Sequence, residues 1–453
     1  MTMKHIIAII GGGFAGTMLA VQLAMRSSHP LQILLYDQSG AFARGTAYGT
    51  RNPAHLLNVP AGRMGAFADK IGDFQQWLES REYRTSPQDF MPRALYGDYL
   101  ESLLAGAQDN SNHVTIETVA AGITGVDATK DGITLTLADG SQRSVSQLAL
   151  ALGSLPTQAP HFKGTLSYPE HYVGNVWAPP ENSILRRADT SAAEGPVLII
   201  GTGLTMIDMV LSLRGQGYKG KIIAVSRNGL TPQPHAQIPK LYPRFLSPET
   251  APHTAIGLLR AVRAEAKNKD WRAIIESLRD DTPALWAGLS EKQRRRFLRV
   301  LSFWNVHRHR MPQSSALMIE KEVKAGTLSI LAGNIHHIEE VGDRLVTYIR
   351  RKGTADTVPL SVDHVLNCAG PITDIRKGSG LLASMMDKGL IQSGPLRMGI
   401  AADTRGNVKG SVTGRIFALG PLLVGERLET IAVPELRQQA EEVATSLLTS
   451  LSP

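Results

Sequence analysis

Cysteine is almost absent: Cys368 is the single one among 453 residues. An internal disulfide is therefore excluded, and with it a paired-thiol relay for carrying electrons through the protein. Metal ligation also lacks its raw material. His307 and His309 lie two apart, the wrong spacing for one helix face, and no Cys, His or carboxylate cluster completes a ligand set, so no metal is expected. His336 and His337 read as strand residues pointing to opposite faces. No Ser-His-Asp or Cys-His arrangement supplies a side-chain nucleophile. No apolar run approaches the ~20 residues of a membrane helix. The apolar start reaches Gly11-Gly12-Gly13 without a small-residue cleavage site, so it reads as a buried strand and not as a signal peptide. A cytoplasmic protein with no membrane partner is expected.

What is present suits a globular enzyme. The 43% hydrophobic share can build two or three cores. A net charge of +8 favours anionic partners, and nucleotide phosphates would serve. Only Arg294, Arg295, Arg296 and Arg299 cluster, on an expected helix, so nucleic acid is not expected as a partner.

The patterning is α/β. An apolar strand (His5 to Ile10), a glycine turn, a helix (Phe14 to Met25) and a strand (Gln32 to Tyr36) form a βαβ start. In Gly11-x-Gly13-x-x-Gly16 the first glycine permits the tight turn, the second admits a pyrophosphate and the third allows close helix packing. The anion then meets the helix start at Phe14 and Ala15. Asp37 ends the second strand, where a carboxylate accepts hydrogen bonds from an adenosine ribose. FAD is the expected occupant.

The same grammar returns at Val197 to Ile200, Gly201-Thr-Gly203-Leu204-Thr205-Met206, a helix through Leu213 and a strand at Lys221 to Val225. Met206 replaces the third glycine, which displaces the nucleotide slightly. Ser226 and Arg227 stand where an acid would hold a ribose hydroxyl pair, and a guanidinium with a hydroxyl suits a 2′-phosphate. NADPH is expected here.

Between these units, β-rich segments (Val114 to Glu117, Ile133 to Leu137, Gln147 to Leu152) end at Gly153-Ser-Leu-Pro156, and a Pro-, Ser- and Asn-rich crossing follows. From about Pro252 to Met311 the pattern is helical, with Trp271, Ile274, Ile275 and Leu278 on one face, and this insert is expected to cover the cleft. Strands follow near Leu328 to Leu331, Ile335 to Val341, Arg344 to Arg350 and His364 to Asn367. A last helix runs from Pro434 to about Leu451.

The runs Arg44-Gly-Thr-Ala-Tyr48, His55-Leu-Leu-Asn-Val-Pro60, Met91-Pro-Arg-Ala-Leu-Tyr-Gly97, Val197-Leu-Ile-Ile-Gly-Thr-Gly-Leu-Thr205, Asn367-Cys-Ala-Gly-Pro371 and Glu429-Thr-Ile-Ala-Val-Pro-Glu-Leu-Arg437 resemble the bacterial FAD-NAD(P)-binding family over nearly the whole chain. That family is similar in turn to flavin-dependent N-hydroxylating monooxygenases. The resemblance implies two Rossmann-like dinucleotide-binding domains. Residues 1–160 would be the first part of the FAD-binding domain, 190–368 the NAD(P)H-binding domain with its insert near 252–311, and 369–453 the C-terminal part of the FAD-binding domain.

It also implies cofactor contacts at Arg44, Gly153 and Gly420-Pro421, where Pro421 replaces an Asp and leaves the flavin to backbone groups. Thr430, Ile431 and Ala432, before the last helix, are expected beside the ring. Asn58 resembles the segment that approaches the flavin, and its amide offers donor and acceptor to a flavin edge or a nicotinamide; a plain turn-forming Asn is the alternative. Arg93 and Tyr96 suit either an anion or a buried structural ion pair. Trp304 to Pro312 is the densest polar cluster and a candidate substrate or NADPH lip. Asn58, Arg308 and Arg310 are the candidates for acting at the reacting groups.

Three functions compete. The leading one is an NADPH-dependent FAD monooxygenase that takes molecular oxygen and hydroxylates a small nucleophilic substrate, anionic or an amine. The second is an NAD(P)H-dependent flavin reductase passing electrons to a quinone, a metal complex or a partner protein. The third is a non-catalytic flavin redox sensor, against which a second nucleotide fingerprint argues.

Overall fold

The first strand is buried on both faces, with Ile7, Ala8 and Ile9 fully inaccessible, the signature of a parallel sheet covered on each side. The computed structural model describes residues 5–110, 113–129, 132–178, 195–236 and 242–451. Strand β1 (His5–Ile10) sits at the centre of a five-stranded parallel sheet, flanked by β2 (Leu31–Tyr36) and β3 (Val114–Val119) on one side. A three-stranded antiparallel sheet of β4 (Ile123–Ala128), β5 (Ile133–Leu137) and β6 (Gln142–Val145) branches off and returns the chain to β7 (Gln147–Leu150), on the other side of β1.

The second sheet holds β8 (Tyr172–Val173), β9 (Val197–Ile200), β10 (Ile222–Ser226), β11 (Leu328–Val341), β12 (Arg344–Arg351), β13 (Thr357–Val362) and β14 (His364–Asn367), in the order β13-β12-β11-β10-β9-β14-β8. Its β8-to-β11 part is parallel, and β11, β12 and β13 form an antiparallel extension. The chain then goes back: β15 (Ile416–Ala418) pairs in parallel with β7, so the C-terminal segment completes the first sheet. This is a mixed α/β architecture with two parallel sheets, each opening on a strand, a glycine turn and a helix.

Four helices position the site. Helix α1 (Phe14–Arg26) follows β1, α2 (Arg93–Asp109) lies against it, α3 (Leu204–Gly215) follows β9, and α4 (Val433–Leu451) packs along α1. Ala440 and Ala444 of α4 are fully buried in the core shared with Met18 and Leu19, small residues that let the two helices come close. Between β10 and β11 the expected insert is present as short helices from Ala255–Glu265 to Leu301–Arg308, with Ile274, Ile275 and Leu278 buried.

Two expectations are corrected. The strands expected at Leu328 to Leu331 and Ile335 to Val341 are one 14-residue strand, β11, whose register shifts between Ile335 and His337. That bulge also defeats the opposite-face reading of His336 and His337, because an extra residue breaks the alternation. Their Nδ1 atoms are 2.8 Å apart, and His337 stacks on Tyr348. Much of the Pro-, Ser- and Asn-rich crossing, together with residues 190–194 of the second expected segment, lies outside the described residues.

Candidate dinucleotide and substrate site

The turn after β1 is held open by backbone geometry. Gly11 has φ +111°, and a Cβ there would collide with the carbonyl oxygen of Ala151 at the end of β7. A Cβ on Gly16 would strike the Gly11 carbonyl, which is how α1 approaches β1 so closely. Gly13 caps α1, with only Gly45 Cα in loose contact at 3.4 Å from its would-be Cβ. The amides of Phe14, Ala15 and Gly16 have no acceptor among the described residues, so the first turn presents unsatisfied N–H groups. Asp37 accepts the Gly12 amide on Oδ2 at 2.9 Å and Ser39 on Oδ1, which fixes the carboxylate at the turn.

Around this turn the chain brings together several of the expected residues. Ala43 donates to the Gly12 carbonyl at 2.7 Å, so the Arg44-Gly45 backbone lies over the turn. The Arg44 guanidinium is occupied elsewhere: it is buried against Glu101, Asp98 and the Ala94 carbonyl, because α2 carries two carboxylates one turn apart that bracket it. Gly153, two residues after Ala151, has φ +68° and open space beside it. Gly420 has φ +76°, and a Cβ built on it would stand 3.8 Å from the Ala15 Cβ. Its N–H is committed to Gln439 Oε1 at 2.9 Å and Pro421 has none, so this pair offers a surface for close approach and no donor.

The second turn repeats the geometry. Gly201 has φ +102° against the Cys368 carbonyl, Gly203 caps α3 with nothing near its would-be Cβ, and the Leu204 and Thr205 amides have no acceptor among the described residues. Met206 is fully buried in the place of the third glycine. The Ser226 hydroxyl is already bonded to Thr202 at 2.7 Å and to the Gly229 amide. Arg227 is exposed and makes no ion pair among the described residues. Next to it, Asn228 accepts from Lys352 Nζ at 2.7 Å, which brings a second cation to the same strand end from the β12–β13 turn.

A polar seam joins the two turns. Residues 50–60 run from the first sheet to α3, where Asn52 bonds Ser212, and the His55 ring bonds Thr50 on one side and Ser212 and the Asp208 carbonyl on the other. Burial pushes His55 down to about 4, assisted by Arg93. The segment after β10 reaches back to meet this seam: Leu230 bonds Thr202, and His235 Nε2 lies 3.0 Å from the Asn58 carbonyl. The Asn58 amide side chain makes no hydrogen bond among the described residues. His235 is likewise pushed down to about 4 by burial and then by Arg310, so it stands neutral and donates that bond.

Behind His235 the insert meets α4 in a buried ion cluster. Arg308 binds Glu429 at 2.7 Å and Glu435 at 2.9 Å, and Arg310 Nη2 binds Glu276 Oε2 at 2.7 Å. Arg63, in the turn after Pro60, and Arg279 hold the other oxygen of Glu276. Burial raises the Glu276 pKa, but Arg279, Arg63, Arg308 and Arg310 overcome it and hold the carboxyl well below the usual range. Arg308 is thus held through Nε and Nη2, while Nε and Nη1 of Arg310 are buried with no partner among the described residues. Thr430 is fully buried with its hydroxyl unpartnered, whereas Ile431 is 55% exposed. Trp304 Nε1 reaches Glu429 at 3.3 Å and Trp286 Nε1 the Gly425 carbonyl at 2.8 Å, so the insert is anchored to the segment leading into α4.

Residues 8–155 match the FAD-NAD(P)-binding family. No curated protein matches the chain. In overall structure it is similar to an ornithine hydroxylase from Pseudomonas aeruginosa, at 14% identity and TM-score 0.68, covering 99% of this chain and 100% of that one. An L-lysine 6-monooxygenase from Pseudomonas syringae gives 16% identity and 0.67, covering 98% and 99%. A thioredoxin reductase from Lactococcus lactis gives 11% and 0.54, with 99% of each chain covered. At these identities the likeness is one of fold. The FAD-NAD(P)-binding match ends at residue 155, soon after Gly153, so it covers the first glycine turn and its surroundings but neither the second turn nor the insert.

Sequence reasoning did not find His235, Glu276, Arg279 or Lys352, and gave Glu435 no role of its own within the run that ends at Arg437. Glu276 and Arg279 carry a signal, an acid and a base three apart on the insert's helical stretch, yet such pairs usually decorate solvated faces. His235 follows a Pro-rich coil with no periodicity, and nothing local marks it. Among the described residues no group of His, Cys, Asp and Glu suits a metal ion, and no helix is long and apolar enough to cross a membrane.

Proposed function

We propose that the chain is an FAD- and NADPH-dependent monooxygenase hydroxylating a small nucleophilic substrate such as an amine. One observation carries the reading: two glycine turns, each with unsatisfied first-turn amides, are bridged by a seam ending at Asn58 and His235. The residues present fit both dinucleotides. Gly13 leaves room for a pyrophosphate at the amides of Phe14, Ala15 and Gly16, Asp37 takes the adenosine side, and the bare Gly420 leaves space beside Ala15. At the other turn Gly203, Leu204 and Thr205 take the nicotinamide cofactor's pyrophosphate, and Arg227 takes a 2′-phosphate, with Ser226 orienting the loop through Thr202. In this reading the flavin-binding body consists of residues 1–160 and 369–453, and the NADPH-binding body of residues 190–368.

Bound FAD would supply hydride acceptance and oxygen chemistry. The chain's own residues position and enclose. Asn58 presents an amide to the ring or the nicotinamide, neutral His235 fixes the Asn58 backbone, and the anchored insert keeps water from the reacting centre. Arg308 acts as a positioning residue through Glu429 and Glu435. The lone Cys368 is buried and its thiol pushed up by burial, so it is no electron relay.

The test is single-turnover of the yellow holoprotein with NADPH and isotopically labelled oxygen across a panel of small amines. Label in a hydroxylated product supports the reading. Rapid NADPH-driven quinone reduction with no label incorporated in any substrate would replace it with the flavin reductase.

A further inference from the structure

Resting on the monooxygenase reading and on its placement of Thr430 to Ala432 beside the flavin, we propose that a dry cavity inside the helical insert is a holding site for molecular oxygen on its way to the ring. The cavity has a volume of about 50 Å³. It lies among Leu258 and Val262 of the Ala255–Glu265 helix, Trp286, Phe297, Trp304 and, from the segment before α4, Leu428. The insert thus packs around an unfilled space that the C-terminal segment closes.

The wall selects the guest. Its polar side chains are Thr282, Trp286 and Trp304, and each is already engaged. The Thr282 hydroxyl donates to the Leu278 carbonyl at 2.7 Å, Trp286 Nε1 to the Gly425 carbonyl at 2.8 Å, and Trp304 Nε1 to Glu429 at 3.3 Å. The space exceeds the ~10–15 Å³ that admits a water, yet a water there finds no free side-chain partner. An ammonium or carboxylate group would be buried without compensation. An apolar molecule loses nothing on entering and is driven in from water. Size narrows the choice further: the space is about a third of the ~150 Å³ cavity that takes benzene, so about two or three heavy atoms fit and an aromatic ring does not.

Position decides between dioxygen and the tail of a substrate. Leu428, with φ +61° and ψ −54°, is the middle residue of a γ-turn that the Glu429 N–H closes by donating to the Arg427 carbonyl at 2.7 Å. This form of the turn is rare and strained. It sets Leu428 on the cavity while the Glu429 carboxylate goes to Arg308 and Trp304. Leu396, another non-glycine residue with φ +60°, packs on the same apolar cluster, so strained backbone gathers where the insert meets the C-terminal segment. Thr430, two residues after Leu428, is fully buried with its hydroxyl unpartnered. Between them in the chain stands Glu429, in its pair with Arg308, at side-chain exposures of 5% and 4%. A substrate chain threaded from the cavity past Leu428 to Thr430 meets that buried pair, whereas a diatomic molecule passes between side chains as they change rotamer.

The experiment has two readouts. Holoprotein crystals are exposed to xenon, a monoatomic apolar probe that scatters anomalously. In solution, holoprotein reduced anaerobically with NADPH is mixed with oxygenated buffer without substrate, two electrons and two protons leaving as hydrogen peroxide, and the return of the oxidised flavin spectrum is timed. Xenon density is expected between Trp286, Phe297 and Leu428, and xenon at fixed oxygen should slow the return. Val262→Phe, which carries a ring into the space, should slow it about threefold or more while anaerobic reduction by NADPH changes less than about twofold. Val262→Leu fills less of the space, guards against misfolding of the Phe variant and should give an intermediate loss. Absence of xenon from the cavity, or an unchanged oxygen rate in both variants, overturns the proposal. So does a series of straight-chain amines whose binding tightens with length and weakens in Val262→Phe, since the cavity would then hold the substrate's tail. Slower reaction with oxygen in the filled variants, with no labelled oxygen in any product, would leave the oxygen site standing and remove the monooxygenase. Labelled product together with an unchanged oxygen rate in Val262→Phe would do the reverse.

Discussion

Arg93 on α2 and Asp208 on α3 form an ion pair at 2.9 Å, with side chains only 11% and 8% exposed. The helix packed on the first glycine turn's helix is thus tied to the helix of the second turn. Arg93 also donates through Nε to the Leu56 carbonyl and lies over the Trp177 ring, so one guanidinium gathers the seam loop, the crossing at Trp177 and α3. Burial raises Asp208 to about 6 in spite of this partner.

Removing one member of such a pair strands a charge. Arg93→Met should cost about 3–5 kcal/mol, seen as a lower denaturation midpoint, whereas Arg93→Met combined with Asp208→Leu should recover most of that loss. Equal stability of the single and double variants would show that Arg93 acts through Leu56 and Trp177 and not through Asp208.

The glycines of the first turn should separate folding from binding. Gly16→Ala places a methyl group on the Gly11 carbonyl and is expected to give insoluble protein. Gly13→Ala meets only Gly45 at van der Waals distance and should give a folded protein that retains little flavin, because the methyl group stands where the pyrophosphate must come. Absorbance near the flavin band against protein concentration, with circular dichroism for folding, reads both. A fully flavinated Gly13→Ala protein would remove the pyrophosphate from this turn.

Arg227 should set cofactor preference. It is exposed with no ion pair among the described residues, so its truncation leaves the fold untouched while losing a charge-assisted contact worth ~1.5–3 kcal/mol. The NADPH to NADH ratio of kcat/KM should fall by about ten- to a hundredfold in Arg227→Ala. Lys352→Ala should shift the ratio the same way by less, since Lys352 is partly engaged with Asn228. An unchanged ratio in both variants would place the 2′-phosphate elsewhere.

The fold was legible where chemistry is local. Gly11, Gly13 and Gly16 after a continuous apolar strand leave few structures open, and the same holds for Gly201 and Gly203. The return of β15 to β7 is a long-range pairing of three residues that no local pattern marks. Arg44 shows the limit of motif reasoning: its run borders the turn, but the two carboxylates on α2 decide where its charge goes. Arg310 was visible as part of a dense polar cluster. Its unmatched donors depend on Glu276 reaching only one nitrogen, which is a matter of packing between the insert and α4.

The buried histidines predict how stability follows pH. His55 and His235 are held at about 4 and His309 at about 3, each pushed down first by burial and then by a neighbouring arginine: Arg93, Arg310 and Arg308 respectively. In the unfolded chain each titrates near 6.5. Their folded values are depressed, so below pH ~6.5 the unfolded state takes up protons that the native state refuses, and stability falls with pH until the native values are reached. Asp208 has the opposite sign. Its folded value of about 6 lies above the unfolded ~3.9, so the native state holds a proton that the unfolded state releases between those limits, and falling pH returns some stability. Three histidines against one aspartate leave a net uptake of about two protons on unfolding near pH 5. The folded value of Glu276 is depressed, so its contribution to stability is lost as pH falls through the ordinary carboxylate value of ~4.3 toward the folded one, which lies mostly under this window and adds to the loss at its acid end. The melting temperature should therefore drop steadily from pH 6.5 to 5, and His55→Gln, which keeps a partner for Ser212, should reduce the slope by about one proton. A melting temperature that stays level across that interval would mean that these imidazoles are hydrated and titrate normally in the folded protein.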